Sequence, residues 1–170
     1  MSGYRFELLK ILVVDDNVHM RKLVTTILQA FGVIQIYEAD NGERAWASLR
    51  EANPDVVVLD WVMEGMSGIE LVQMIRTNPG SPNPFMPVIM LSGHASAEHV
   101  REARDAGINE FIAKPVSVNT IMSRLVAVIE HPRPFVRTSA YFGPCRRRRG
   151  VEDYRGPERR AENGKQEAAE

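Results

Sequence analysis

Ile11-Leu12-Val13-Val14-Asp15-Asp16 sets a short apolar run against two acids, and Val56-Val57-Val58-Leu59-Asp60 repeats the arrangement. A continuous apolar run of this length suits a strand buried on both faces, as in a parallel sheet covered by helices. Between the two runs the spacing changes. Met20, Leu23, Val24, Ile27, Leu28 and Phe31 recur at helical intervals, and Gly32 offers a stop. Val33-Ile-Gln-Ile-Tyr37 reads as a second strand. Asn41-Gly42 opens a second helix carrying Ala45, Trp46 and Leu49, and Pro54 ends it.

Working outward, the alternation continues. A third helix is expected over about Ser67 to Thr77. Asn78-Pro-Gly-Ser-Pro-Asn-Pro84 is a loop, to which we assign no function. Val88-Ile-Met-Leu91 is a fourth strand ending at Ser92, and a helix follows from Ala97 to Asp105, stopped by Gly107. Glu110-Phe-Ile112 is a short fifth strand leading to Lys114-Pro115. Val118, Ile121, Met122, Leu125, Val128 and Ile129 mark the last helix. Five strand–helix alternations predict an α/β, doubly wound, flavodoxin-like fold: a five-stranded parallel sheet of order 2-1-3-4-5 with helices on both faces.

Composition agrees. In 170 residues, 44% apolar and 25% charged, there is enough material for a core without disulfides, and one cysteine, Cys145, excludes a disulfide framework or a multi-cysteine metal site. No run reaches the ~18 apolar residues of a membrane span, and the first ten residues are too mixed for a secretory signal. A cytoplasmic location is expected. The formal net charge of −1 hides a partition: residues 1–130 sum to −5 and residues 131–170 to +4. We therefore divide the chain into a domain over 8–130 and a Pro/Gly/Arg-rich tail over 131–170, expected to be largely disordered. The tail holds an imperfect repeat, Tyr141-Phe-Gly143-Pro144-Cys-Arg146-Arg147 and, thirteen residues on, Tyr154-Arg-Gly156-Pro157-Glu-Arg159-Arg160.

Ligands of doubly wound sheets gather at the carboxyl ends of the strands. Asp15, Asp16 and Asp60 should converge there, with Ser92 and Lys114 beside them. Carboxylates brought within ~4–6 Å repel unless a cation intervenes. Oxygen ligands in that number suit Mg²⁺, and a bound cation would neutralise an incoming phosphoryl group. Ser92 can hydrogen-bond one phosphoryl oxygen, and Lys114 supplies a point charge for another. Singly, each feature has a plainer reading. Asp16 or Asn17 could merely cap the first helix, Phe111 pack in the core, and Lys114 sit solvated in a loop. His19, His94 and His99 form no metal-ligand pattern, and the methionines read as core filler.

Taken in order, Asp15-Asp16, Asp60, Ser92 and Lys114-Pro115 resemble the receiver domain of two-component response regulators, over roughly residues 8–130. The resemblance implies a stand-alone response regulator in which Asp60 accepts a phosphoryl group from a histidine kinase or histidine phosphotransfer protein. It implies that Asp16, Asp60 and the backbone carbonyl of Val62 hold Mg²⁺, with Asp15 acting mainly through a bound water. Ser92 and Phe111 match the family's switch pair, and the bond before Pro115 matches a peptide that is usually cis and aims Lys114 into the site. Such a chain is a phosphoacceptor switch with self-catalysed phosphotransfer and autodephosphorylation, not a conventional enzyme. Two departures stand out. Glu64 replaces a frequent proline, and apolar Val62, with His94, occupies a position that tunes water attack, so slow autodephosphorylation is expected.

The output is expected to be phosphorylation-dependent binding to an unknown downstream protein. Alternatives are a phosphotransfer intermediate in a phosphorelay, or an inert receiver-like adaptor whose tail binds an acidic protein, RNA or a nucleotide. Arg146-Arg147-Arg148-Arg149 invites a nucleic-acid reading. No reading head accompanies it, so sequence-specific DNA binding is not expected, nor is a membrane. Dimerisation through the fourth and fifth helices is left open. An acidic turn after the first strand repels a pyrophosphate, and no phosphate-binding loop, Gly-x-Ser-x-Gly or His-Glu-x-x-His motif appears.

Overall fold

Each apolar run finds a parallel neighbour. The computed structural model describes residues 5–147. After a 3-10 turn at Phe6–Leu8 come β1 (Lys10–Val14), α1 (Val18–Ala30), β2 (Gln35–Ala39), α2 (Gly42–Ala52), β3 (Val56–Asp60), α3 (Gly68–Thr77), β4 (Val88–Ser92), α4 (Ala97–Ala106), β5 (Glu110–Ala113) and α5 (Val118–Glu130). The sheet order is β2-β1-β3-β4-β5, all parallel, as the alternation predicts. Every residue of β3 and β4 is buried, which explains their unbroken apolar sequence.

The strand period of two divides the core. Ile11 and Val13 of β1 pack with Val24, Ile27 and Leu28 of α1 and Ile121 and Leu125 of α5. Leu12 and Val14 face the other side, with Ala45 and Leu49 of α2 and Leu71, Val72 and Ile75 of α3. Polar residues begin each helix. Asn17, Asn41, Ser67, Ser96 and Ser117 all accept backbone N–H groups at the N-caps, and Ser67 with Glu70 forms a full capping box. Among the described residues no helix is long and apolar enough to cross a membrane.

Two expectations are corrected. The second strand starts at Gln35, not Val33. The Val33 N–H donates to the Leu28 carbonyl (3.1 Å) and the Gly32 N–H to that of Gln29 (2.9 Å), so Gly32 and Val33 close α1. Gly32 is left-handed, with φ +89°, and buried Val33 packs in the same cluster as Leu28.

The second correction concerns the tail. Residues 131–147, expected to be disordered, include an antiparallel hairpin of β6 (Phe135–Arg137) and β7 (Phe142–Pro144). Its two phenylalanines meet Phe85 of the Pro-rich loop edge-on, with ring centroids 5.0 and 5.4 Å apart. Beneath them lies buried Arg76, which donates to the carbonyls of Gly107 (3.0 Å) and Pro84 (2.8 Å) and to Asn109 Oδ1 (3.1 Å). Its guanidinium carbon stands 5.0 Å from the centre of the Phe135 ring. The loop given no function by its sequence is thus the seat of the hairpin.

Candidate functional site

The register of the sheet gathers acids at its carboxyl rim. Asp15 directly follows β1, its N–H held by the Ala39 carbonyl of β2 (3.2 Å), and Asp60 is the last residue of adjacent β3. Carboxylate oxygens of Asp15, Asp16 and Asp60 all lie within 4.8 Å of one another. From β5, Lys114 reaches back until its Nζ is 2.8 Å from Asp60 Oδ1 and 3.6 Å from Asp15 Oδ2. The peptide bond between Lys114 and Pro115 is cis. The three strands that carry these groups, β1, β3 and β5, are among those the apolar runs define.

The electrostatics follow from burial. Asp15 and Asp60 are both buried, and loss of water pushes their carboxyls above the ordinary carboxylate range despite Lys114. Burial alone would depress the Lys114 ammonium, but its hydrogen bond to Asp60 and the charges of Asp60 and Asp15 raise it above its usual value. Three acids against one lysine leave the cluster short of positive charge. Asp15 Oδ1 accepts the Asn17 N–H (2.8 Å), whereas Asp15 Oδ2 is buried without a hydrogen-bond partner. Three carboxylates, one of whose buried oxygens makes no hydrogen bond and has only the Lys114 ammonium 3.6 Å away, are a donor set fitted to a hard divalent cation such as Mg²⁺.

Arg21 and Gly68, which help hold this cluster, were not singled out from the sequence, and Glu64 was singled out there only as a departure in residue type. Arg21, one turn into α1, donates to the Asp15 carbonyl (2.7 Å) and pairs with Glu38 of β2 (3.2 Å). The Glu64 N–H donates to Asp16 Oδ2 (3.1 Å), so the loop after β3 ties down the exposed acid. Gly68 lies so close to β3 that a Cβ there would overlap the Asp60 carbonyl oxygen, and its N–H donates to the Trp61 carbonyl (2.8 Å). Neither Arg21 nor Gly68 had a sequence signal beyond residue type, because each contact spans separate elements.

The other expected residues are distributed as follows. Ser92, at the end of β4, is buried, and its hydroxyl accepts the His94 N–H (3.0 Å) and donates to the His94 carbonyl (3.1 Å). Phe111 of β5 is partly buried against the core beneath α2, α3 and α4. The Val62 side chain is 64% exposed. His94 and His99 stack at 5.4 Å, and His99 meets Trp61 edge-on at the same distance, so the two histidines form a ring stack with the neighbour of Asp60. Tyr141 directly precedes β7, Gly143 and Pro144 lie on it, and Arg146 and Arg147 follow it. Tyr154, Gly156, Pro157, Arg159 and Arg160 lie outside the described residues.

Comparison with known proteins agrees with this geometry. The model of the response regulator receiver domain matches residues 11–126. Chemotaxis protein CheY-3 of Vibrio cholerae is 38% identical over 122 residues, covering 72% of this chain and 92% of that protein. The crystal structure of Vibrio cholerae CheY4 has a TM-score of 0.66 at 31% identity, covering 71% of this chain and 98% of the other. The CheY of the Borrelia burgdorferi CheX-CheY-BeF3-Mg+2 complex has a TM-score of 0.62 at 28% identity, covering 71% and 88%. With its matched sheet, strand order and acidic rim, the chain belongs to the response regulator receiver domain family.

Proposed function

We propose that this receiver is a phosphoacceptor switch of two-component signalling. Asp60 takes a phosphoryl group from a phosphohistidine on a histidine kinase or histidine phosphotransfer protein, and the phosphorylated form binds a downstream protein with altered affinity. The observation that carries this reading is buried Asp60 paired with Lys114 at 2.8 Å inside a cluster of three carboxylates. In the transfer an Asp60 oxygen attacks phosphorus and the phosphorus–nitrogen bond breaks. The electron pair leaves with the imidazole, which takes a proton from solvent. Asp15, Asp16, Asp60 and the Val62 carbonyl would hold Mg²⁺, which when bound offsets charge on the phosphoryl oxygens. Lys114 stays cationic and is free to follow a phosphoryl oxygen once Asp60 carries the acyl phosphate. Ser92 exchanges its His94 contacts for another phosphoryl oxygen, and Phe111 repacks behind it.

The likeness to the CheY of the Borrelia burgdorferi CheX-CheY-BeF3-Mg+2 complex supports the same chemistry here. The test uses acetyl phosphate with Mg²⁺ and intact-mass spectrometry. The wild-type chain should gain one phosphoryl group, and Asp60→Ala none. A wild-type chain that no small donor labels would be an inert receiver-like adaptor.

A further inference from the structure

The repeated motif of the C-terminal segment has a physical meaning that the first copy makes readable. The Tyr141 hydroxyl donates to the Pro144 carbonyl (2.8 Å), folding the ring back over the chain. Gly143 lies under that ring, where a Cβ would come within 2.5 Å of the Tyr141 hydroxyl oxygen and 3.0 Å of the Gly107 Cα. The Arg146 guanidinium stacks 4.1 Å from the centre of the Tyr141 ring and pairs with Asp105 at 3.2 Å. Four of the five positions shared by the two copies, Tyr141, Gly143, Pro144 and Arg146, are therefore those that close a clasp and seat it on the end of α4, at Asp105 and Gly107. The positions that differ do other work: Phe142 packs on Phe85 and Phe135, and the Cys145 N–H donates to Pro134.

Tyr154, Gly156, Pro157 and Arg159 repeat the four clasp positions at the same spacing. We propose that the end of α4 is a binding site for Tyr-x-Gly-Pro-x-Arg segments and that its second occupant is this chain's own second copy, residues 154–159, in exchange for the first. The described chain ends at Arg147, beside the seat, and Tyr154 is seven residues further on. A short tether supplies an effective concentration on the order of millimolar, which favours the chain's own copy over a free peptide. Charge complementarity is kept, because Arg159 replaces Arg146 opposite Asp105. Arg155 replaces Phe142 and forfeits its aromatic contacts, so the first copy is the resting occupant. A nucleic acid would use the arginines but has no need of a glycine beneath a tyrosine ring.

The test is fluorescence anisotropy of a labelled peptide of residues 152–162 titrated with the full chain. Tyr141→Ala combined with Tyr154→Ala empties the seat and should bind the peptide about tenfold or more tighter than wild type, whose seat is filled. The single Tyr141→Ala chain keeps its second copy and should bind more weakly than the double variant. Arg146→Ala with Arg159→Ala alters only the arginine of each copy and guards against a folding defect in the tyrosine variants. Adding Asp105→Ala, or using a Gly156→Ala peptide, should abolish binding. Equal binding to wild type, no binding to either emptied chain, or binding that survives Asp105→Ala or the glycine change overturns the proposal. Equal binding by the single and double tyrosine variants overturns the intramolecular occupant.

Discussion

Asp15 and Asp60 are carboxylates in a place where ionisation is costly. Burial raises both above the ordinary range, so the folded state holds their protons more tightly than the unfolded chain does. Their contribution to stability is therefore present below the unfolded carboxylate value of about 4 and is lost as pH rises through the higher folded values. A cation among the three acids reverses that loss, because it favours the ionised form. Mg²⁺ should accordingly raise the melting temperature at neutral pH and do little near pH 4. A Mg²⁺ effect of equal size at both values would contradict this cluster as its site. Val62 carries a second prediction. Its exposed isopropyl group cannot orient a water for attack on an acyl phosphate. Phosphorylated wild-type chain should lose phosphate over minutes or longer, and Val62→Asn should shorten the lifetime severalfold, read as phosphate release. The acids were legible in the sequence because an acid ending a buried apolar strand has few other reasons to be there. Arg21 was not, because its service to the Asp15 carbonyl depends on how α1 leans over β1.

At the scale of elements, the hairpin and the helices it touches depend on an unusual buried cation. Among the described residues no carboxylate pairs with Arg76, and burial brings its guanidinium down to about 10, still charged at neutral pH. Three neutral acceptors and the Phe135 ring hold it instead. Arg76→Met should leave the Gly107 and Pro84 carbonyls without this donor, while Asn109 Oδ1 keeps the Val88 N–H (3.0 Å), and should cost about 2–4 kcal/mol, seen in denaturant unfolding. It should also free β6 and β7, seen as faster chymotryptic cleavage at Phe135 and Phe142. Loss of stability with unchanged cleavage would mean that the hairpin is held elsewhere. The five strands and five helices could be read in advance because periods of two and 3.6 are written in single stretches. Val33 misled because a buried valine that closes a helix looks like one that opens a strand. The hairpin escaped notice because it is three residues per strand and is stabilised by Phe85 and Arg76, some fifty and sixty residues earlier.

Across the whole molecule, α4 joins the acidic rim to the hairpin. Its ten residues span about 15 Å. At the first end, the loop from Ser92 through His94 leads into the helix, and His99 stacks on His94 and Trp61 beside Asp60. At the other end, Asp105 pairs with Arg146 and Gly107 touches Gly143. A phosphoryl group that draws Ser92 away from His94 must disturb the first end of a rigid rod whose second end grips the hairpin. The two events are then linked, and linkage is reciprocal. Beryllofluoride with Mg²⁺, mimicking the phosphorylated state, should change the rate at which protease cuts residues 133–147. Conversely, Arg146→Ala, which loosens the hairpin without touching the acidic cluster, should shift the beryllofluoride concentration needed to saturate Trp61 fluorescence, in the matching sense. Identical cleavage with and without the mimic, together with an unmoved midpoint in the variant, would show α4 to be a passive strut and would separate the hairpin from the switch.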